Sequence, residues 1–209
     1  GVVRPARPSH PSPAAAAVSW MPSEGFLQRF HDLAEIDGEV RCGAALAVRQ
    51  AAGVDDEDLQ YALRRLVRGV QSSRQCARQG FALALAEVLA GFPAELATTL
   101  KLVKQHTELQ AGLKSNEQKE RMFGRLFAYA AILEAGCLRQ ADVAARRSKS
   151  GASSRDVAAE LGRGLREVYE ARPYLRGPAA HLQAQICLDL CHAGLVANVP
   201  AALERWNLE

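Results

Sequence analysis

The sequence predicts an all-α protein. Apolar residues recur at intervals of three and four from Ser23 onward, and no segment alternates as a half-buried strand would. The chain has 209 residues, of which 48% are hydrophobic. This is enough for one sizeable core or a short array of repeats, and too little for several independent domains. We therefore expect one helical unit over residues 23–209.

Residues 1–22 differ in composition from the rest of the chain. Five prolines stand among Ala, Ser and Arg, and no periodic apolar face is present. Such a segment cannot bury enough apolar surface to offset the entropy of ordering it, so we predict a disordered leader. The prolines would interrupt the amphipathic helix of an organelle transit peptide, which argues against that alternative. The start at Gly1 suggests a piece of a longer protein.

The clearest helix is predicted over residues 57–70. Its apolar residues fall on one stripe, which is typical of a helix with a single buried face: Leu59, Leu63, Leu66, Val67 and Val70. Four acidic residues, 55–58, stand at its start. Carboxylates in that place cap free N–H groups and complement the helix dipole.

Similar stripes predict the helices that follow. A second helix begins near Ser73 and ends at Gly91, and Pro93 stands in the first turn of a third. The third and later helices are marked by these sets: Leu96, Leu100 and Val103; Met122, Phe123, Leu126, Phe127, Ala130 and Leu133, ending at Gly136; Val157, Leu161, Leu165 and Val168; Leu182, Ile186 and Leu190; and Pro200 with Trp206. The polar residues 145–155, rich in Ser and Gly, predict an exposed loop.

A repeated pattern suggests that the helices are arranged in pairs. VRCGAA at 40–45 and LRGPAA at 175–180 share an apolar residue, an arginine and Ala-Ala, and ARQGFA at 77–82 is a looser copy. The first copy resembles the second-helix pattern of HEAT repeats, and Arg41 and Arg78 are 37 residues apart, about one helix pair. We therefore predict an α-solenoid of HEAT/armadillo-like helix pairs, with an irregular helical bundle as the alternative.

Two further expectations follow from this repeat. Small residues would let helix axes approach closely at these positions: Ala44, Ala45, Gly80, Gly124, Ala179 and Ala180. In HEAT repeats the arginine of the pattern makes structural hydrogen bonds, and we expect that role for Arg41, Arg78 and Arg176.

A second group of arginines stands out because residues 59–86 contain five arginines and no carboxylate. On a helical wheel, Arg64, Arg65 and Arg68 project from the side opposite the apolar stripe, and Arg74 follows in the next turn. Neighbouring guanidinium groups repel one another unless an anion compensates, and they bind phosphate bidentately. We predict that these four arginines bind nucleic acid or an acidic partner. A solubilising face, or a patch that docks on acidic parts of a longer chain, is the alternative.

Three segments carry a family resemblance. YALRRLVRGVQSSRQCARQGFALALAEVL, LKLVKQHTEL and KERMFGRLFAYAAILEAGCL together resemble the amino-terminal region of the Myb-binding protein 1A family, also called DNA polymerase phi or yeast DNA polymerase V. The resemblance covers most of residues 26–190. It implies a nucleolar protein of large helical-repeat build that takes part in ribosome biogenesis, rDNA transcription and pre-rRNA processing.

On this resemblance we expect a nuclear, nucleolar scaffold that binds rDNA or pre-rRNA. Pre-ribosomal proteins or transcription factors are the expected protein partners. A scaffold that binds only proteins and co-regulates transcription is the alternative. We expect no small-molecule substrate, and no membrane partner because no run of 18 apolar residues occurs.

The family name raises the further possibility of a DNA-directed DNA polymerase. Nucleotidyl transfer by two metal ions needs carboxylates held close together on a rigid platform, whereas helix capping explains residues 55–58. Cys187, Cys191 and His192 lack the further ligands of a zinc site. We therefore predict no enzyme activity, no metal and no cofactor. Most of the five cysteines stand among Ala and Leu, which indicates small apolar core residues in a reducing compartment.

Overall fold

The computed structural model describes residues 22–141, 153–204 and 206, and every regular element in these ranges is helical. The predicted all-α class is therefore confirmed. Short 3-10 turns precede α5, α8 and α9. Residues 137–141 are helical as well. Numbered in chain order, the α-helices with both ends among the described residues are α1 (Glu24–Asp32), α2 (Gly38–Ala52), α3 (Asp56–Gly69), α4 (Gln75–Gly91), α5 (Leu96–Thr107), α6 (Ser115–Glu134), α7 (Ser154–Ala171), α8 (Arg176–His192) and α9 (Val199–Leu203).

Short polar side chains determine where several helices begin. Asp55 is the N-cap residue of α3, and its carboxylate accepts a 2.7 Å hydrogen bond from the N–H of Asp58. Asp37 caps α2 and Ser153 caps α7 in the same way. Each cap satisfies an N–H group that has no partner inside its helix. The predicted capping role of the acidic cluster is thus confirmed.

The apolar stripe of α3 is buried as predicted. Leu59 keeps 6% of its surface exposed, and the other four residues of the stripe keep none. Burying each such side chain contributes about 1.5–3 kcal/mol relative to leaving it in water. This burial holds α3 against its neighbours and directs its other side outward.

Helices that are adjacent in sequence pack as pairs: α1 with α2, α3 with α4, α5 with α6, and α7 with α8. The second helices of successive pairs also touch, because α2 contacts α4 and α4 contacts α6. On the other side, α3 contacts α5. Each of the first three pairs therefore buries part of its apolar surface against a neighbouring pair.

Two glycines let α4 and α6 approach the turns of the preceding pairs. A Cβ atom at Gly80 would lie 1.9 Å from the carbonyl oxygen of Leu33, and one at Gly124 would lie 2.3 Å from Cγ of Gln71. Both predicted close approaches are confirmed. The alanines expected at close contacts are buried in three cases: Ala44, Ala45 and Ala179. The expectation is wrong for Ala180, which is exposed on the solvent side of α8.

Arg41 and Arg78 bind the carbonyl groups of the turns between paired helices. Arg41 donates from Nη1 to the carbonyls five and six residues before it, at 2.6 and 2.8 Å. Arg78 donates to the equivalent carbonyls at 2.9 and 2.7 Å. Each is the fourth residue of its helix, so the predicted equivalence and structural role of this pair are confirmed.

Arg176 is not equivalent to the other two arginines of the pattern. It is the first residue of α8 and is exposed, and its guanidinium lies 5.5 Å from the centre of the Tyr169 ring. The expected structural hydrogen bond is therefore replaced by a contact with an aromatic ring. The similarity between the six-residue segments therefore does not place this arginine at the same point of its helix.

Two predicted segments extend beyond the described residues. Residues 1–21 of the predicted leader and residues 145–152 of the predicted loop lie outside the described residues. Ser154 and Arg155, the last two residues of that loop, belong to the first turn of α7. Trp206 lies beyond α9 but is buried, and its indole N–H donates to the carbonyl of Gly162 at 3.0 Å.

Among the described residues, no single helix has the length and apolar character needed to cross a membrane. By length and composition alone, α4 and the segment Pro93–Thr107 meet that requirement as a pair, with a bend of 113° between them.

The glycine contacts make a stability prediction. Gly80→Ala should lower the free energy of unfolding by about 1–3 kcal/mol, because the new methyl group meets backbone atoms that cannot rotate away. Gly43→Ala is the matched control, since this glycine also lies two residues after the arginine of the pattern but has no heavy atom within 4 Å of its added Cβ. We expect the control to be unchanged or stabilised by up to about 1 kcal/mol. Urea unfolding of both variants measures this, and equal effects would contradict the close approach.

Candidate nucleic-acid interface

Helix α3 presents Arg64, Arg65 and Arg68 on the side away from its buried stripe. Arg64 and Arg68 are exposed, and Arg65 is half-buried. The 3.6-residue period requires this placement, because successive residues are about 100° apart and these three positions fall on the side opposite the stripe. The predicted exposure of this helix face is therefore observed, with Arg65 the most covered of the three.

These three arginines line one cleft together with aromatic residues of α3 and α4. The cleft, which we call the α3 cleft, has a volume of about 370 Å³. Its lining residues are Tyr61, Arg64, Arg65, Arg68, Gly69 and Phe81. Neither aromatic residue was expected at this site from the sequence, although Tyr61 precedes Arg64 by one helical turn.

Arg65 is held in the cleft by an aromatic contact. Its guanidinium carbon lies 5.2 Å from the centre of the Phe30 ring of α1. Its Nε is buried and has no hydrogen-bond acceptor within the described part of the chain. Stacking on an aromatic ring keeps a guanidinium oriented without using its N–H donors. The Arg65 side chain is therefore placed without a carboxylate partner.

The first two carboxylates that follow α3 in the sequence bind side chains other than the arginines of the cleft. Glu87 accepts from Nη1 of Arg49 at 3.0 Å, and Glu95 accepts from the amide of Gln60 at 2.9 Å. None of the ion pairs within the described ranges involves an arginine of the α3 cleft. The positive charge of the cleft is therefore not neutralised by those pairs.

Arg74 occupies a different environment from the three arginines of α3. It is the N-cap residue of α4 and is exposed, but its Nη2 donates to the carbonyl of Ala34 at 2.6 Å. It does not line the α3 cleft. The structure thus brings three of the four predicted binding arginines together and gives the fourth a contact with the α1–α2 turn. Its role in binding stays a prediction.

His106 of α5 is a further titratable group influenced by Arg68. Partial burial lowers the pKa of His106 below its usual value of 6.5, and the positive charges of Arg68 and Arg121 lower it further. The side chain of Arg121 donates to the carbonyl of Glu108. Sequence analysis did not single out His106, because its nearness to these arginines depends on packing between α3, α5 and α6.

A larger groove, of about 520 Å³, lies beside α5, α6 and α7. Its charged groups largely satisfy one another. Arg125, which is buried, pairs with Glu167 and donates to both oxygens of Thr107 at 3.0 Å. Arg163 pairs with Glu160 at 2.6 Å. These bonds tie the three helices together, so this groove is a weaker candidate for binding an anion.

The acidic cluster at α3 forms a helix cap, in which the carboxylate of Asp55 accepts from the N–H of Asp58. Burial raises the pKa of the Asp58 carboxyl, and repulsion from Asp55 and Glu57 adds to the increase. Within the described ranges, no group of three or more His, Cys, Asp or Glu side chains is arranged to hold a metal ion.

The cysteines are less buried than expected. Cys137 is buried, and this burial raises the pKa of its thiol to about 11. Cys191 is exposed, so its interpretation as a core residue is wrong, and Cys42 is exposed as well. Both lie on the solvent side of their helices. The small size of a cysteine side chain does not by itself cause burial.

Comparison with known proteins gives a consistent set of matches. The family model described as DNA polymerase phi matches residues 61–206. The chain is 34% identical over 113 residues to the rDNA transcriptional regulator pol5 of Schizosaccharomyces pombe, which covers 54% of this chain and 12% of the relative. It is 32% identical over 119 residues to Myb-binding protein 1A of Rattus norvegicus, which covers 56% of this chain and 9% of the relative.

A fish relative gives a similar match. The Myb-binding protein 1A-like protein of Danio rerio is 34% identical over 111 residues, with 51% of this chain and 9% of the relative covered. The chain thus matches about a tenth of the length of these relatives. No solved structure matches it.

The contacts of Arg78 and Arg64 predict different consequences of the same substitution. Arg78→Gln should lower the free energy of unfolding by about 1–3 kcal/mol, because two turn carbonyls lose their donor. Arg64→Gln should change it by less than about 0.5 kcal/mol, as is usual for an exposed side chain. Thermal and urea unfolding of both variants measure the difference. A large destabilisation by Arg64→Gln would show that this arginine is structural.

His106 can report on the charge of Arg68. Arg68→Gln should raise the pKa of His106, since one of the positive charges that oppose protonation is removed, whereas Arg64→Gln is the control and should have a smaller effect. The folded-state pKa of His106 is below the unfolded value of 6.5. At pH values between these two pKa values, the unfolded chain binds more protons than the folded chain, so the free energy of unfolding falls as the pH falls. NMR titration of the imidazole measures the pKa, and equal values in wild type and Arg68→Gln would contradict the coupling.

Proposed function

The chain belongs to the DNA polymerase phi family, and on this basis we propose that it is a helical-repeat scaffold that binds rDNA or pre-rRNA in the nucleus. The fission yeast relative is named for regulation of rDNA transcription, and the vertebrate relatives are named for binding Myb. These names support a nuclear regulatory role. The proposal extends to the nucleolus and to ribosome biogenesis, including rRNA processing.

The proposed scaffold is an α-solenoid of HEAT/armadillo-like helix pairs. Support comes from the packing of the first three pairs, in which second helices contact second helices. The shared turn-binding geometry of Arg41 and Arg78 adds a repeated side-chain contact at a spacing of one helix pair. A row of stacked pairs gives an extended surface on which long ligands and several partners can bind.

The α3 cleft is the proposed binding surface, and one observation carries this part of the proposal. Three guanidinium groups line the same cleft, and none is in the ion pairs of the described ranges. An anionic ligand would relieve their mutual repulsion, and phosphate groups match guanidinium donors in geometry and charge. Arg74 would extend this surface along the adjoining turn.

A scaffold that binds only proteins and co-regulates transcription is the second candidate. The printed names of the vertebrate relatives favour it. In that case the arginines of the α3 cleft would bind acidic segments of a transcription factor or a pre-ribosomal protein. Binding to such segments would also weaken with salt, so only a direct comparison of ligands separates the two functions.

We propose a non-enzymatic role in spite of the family's name. The acidic cluster at α3 is accounted for by the N-cap hydrogen bond of Asp55, and the relatives reported above are named as regulators and binding proteins. A template-directed polymerase remains the third candidate. Magnesium-dependent incorporation of nucleotides by the purified chain would be evidence for it and against the scaffold proposal.

Charge reversal of the cleft tests the proposed binding surface. The triple variant Arg64→Glu, Arg65→Glu and Arg68→Glu should weaken binding to RNA or DNA by roughly 10-fold or more and flatten the dependence of affinity on salt, because fewer phosphates are neutralised. Filter binding at two salt concentrations measures both effects.

The control reverses three exposed basic residues outside the cleft, Lys101, Lys104 and Arg155. It makes the same change in net charge, and we expect a smaller loss of affinity. If the two triple variants bind equally well, the α3 cleft is not the binding surface. If the unmodified chain binds an acidic peptide and no nucleic acid, the protein-only scaffold replaces the proposal.

A further inference from the structure

The α3 cleft contains aromatic rings as well as cations. A surface that only attracts phosphate does not need the rings. Tyr61 and Phe81 line it together with the three arginines. Its volume of about 370 Å³ falls within the range of about 300–1,000 Å³ found for small-molecule sites. The cleft is therefore large enough to receive part of a ligand, in addition to attracting its charge.

The shape of the cleft depends on Gly69. A Cβ atom at this position would lie 2.1 Å from Cδ1 of Phe81 and 2.3 Å from its Cγ. The Phe81 ring of α4 thus lies directly against the backbone of α3 at the place where α3 has no side chain. This contact brings the aromatic ring beside guanidinium groups that belong to the other helix of the pair.

Arg65 adds a flat, oriented group to the same cleft. The Phe30 ring holds its guanidinium by stacking, at 5.2 Å. In the described part of the chain, no hydrogen bond is made by its side chain and its buried Nε lacks an acceptor. A guanidinium held in this way can stack on a base with its face and donate to a ligand oxygen with its edge.

From this geometry we infer that the α3 cleft binds an unpaired nucleotide and so prefers single-stranded to double-stranded nucleic acid. Arg64 and Arg68, which are exposed, bind the flanking phosphates. The base stacks in the cleft beside Phe81 and Arg65. In a duplex the bases are stacked and paired, so their faces cannot stack on protein side chains, whereas a single strand can turn a base outward. This inference rests on the nucleic-acid binding proposed above and specifies its ligand.

The preference is measured with the 209-residue chain and labelled oligonucleotides of about 12 nucleotides, a length within the usual range of single-strand sites. One RNA sequence is used as a single strand and as a blunt duplex, and the same sequence is used as DNA in both forms. Fluorescence anisotropy at one salt concentration gives the four affinities. A preference for either single strand over its duplex supports the inference, and the better of the two identifies the sugar.

Two substitutions in the cleft test the stacking. Phe81→Leu keeps an apolar side chain but removes the aromatic face, and should weaken single-strand binding by roughly 5- to 100-fold while duplex binding changes little. Arg65→Lys keeps the charge but removes the planar group, and should act in the same direction. Arg65→Lys also keeps the test valid if Phe81→Leu destabilises the fold, which circular dichroism and urea unfolding would detect.

Phe92→Leu is the matched control, since Phe92 is also half-buried but does not line the cleft. It should leave both affinities unchanged. The inference would be overturned if the single strand and the duplex bound equally well, or if Phe81→Leu and Arg65→Lys weakened the binding of single strand and duplex by the same factor. Either result would leave the proposed nucleic-acid binding standing. Absence of binding to all four oligonucleotides would overturn both.

Discussion

The turns between paired helices leave backbone carbonyl groups without helical partners, and arginine side chains supply the missing donors. Arg41 and Arg78 each bind two carbonyls of the turn that precedes their helix. Arg74 bonds the carbonyl of Ala34 in the preceding pair, and Arg125 bonds that of Thr107. Hydrogen bonds from a charged donor are stronger than those between neutral groups, so these bonds help to hold the turns and to place one pair against the next.

This arrangement explains why a stretch with five arginines contains no carboxylate. A guanidinium can direct some of its donors to backbone carbonyls without an acidic partner. Arg74 and Arg78 use their donors in this way, and the Phe123 ring lies 4.7 Å from the guanidinium of Arg78. Within the described residues, the arginines of α3 make no bond of this kind, so all of their donors remain for a ligand. The carboxylate-free stretch therefore contains two kinds of arginine. Those of α3 face the cleft, and those after the turn between α3 and α4 bond backbone carbonyls.

Much of the fold could be predicted from the sequence, because helix periodicity and caps are local properties. The stripe of α3, its acidic cap and the helix ends at Gly91 and Gly136 all follow from short-range spacing. Similarity between short segments was less reliable for predicting where a residue lies in its helix. The copy of the pattern at Arg176 starts a helix, whereas its counterparts lie one turn inside theirs. Neither Ala180 nor Cys191 is buried, because small size permits burial but does not cause it.

For the candidate site, the order of residues is enough to predict which side of α3 is charged, since the apolar stripe fixes the opposite face. It also showed that no carboxylate stands among the arginines. Packing between helices places Phe81 of α4 and Phe30 of α1 beside that face, and it directs Arg74 to a turn instead of the cleft. Neither result could be predicted from the sequence. The reason is physical. A helical wheel gives the direction of each side chain around one helix axis, whereas a cleft depends on the distance between different helices. Close contacts such as those at Gly69 and Gly80 establish that distance.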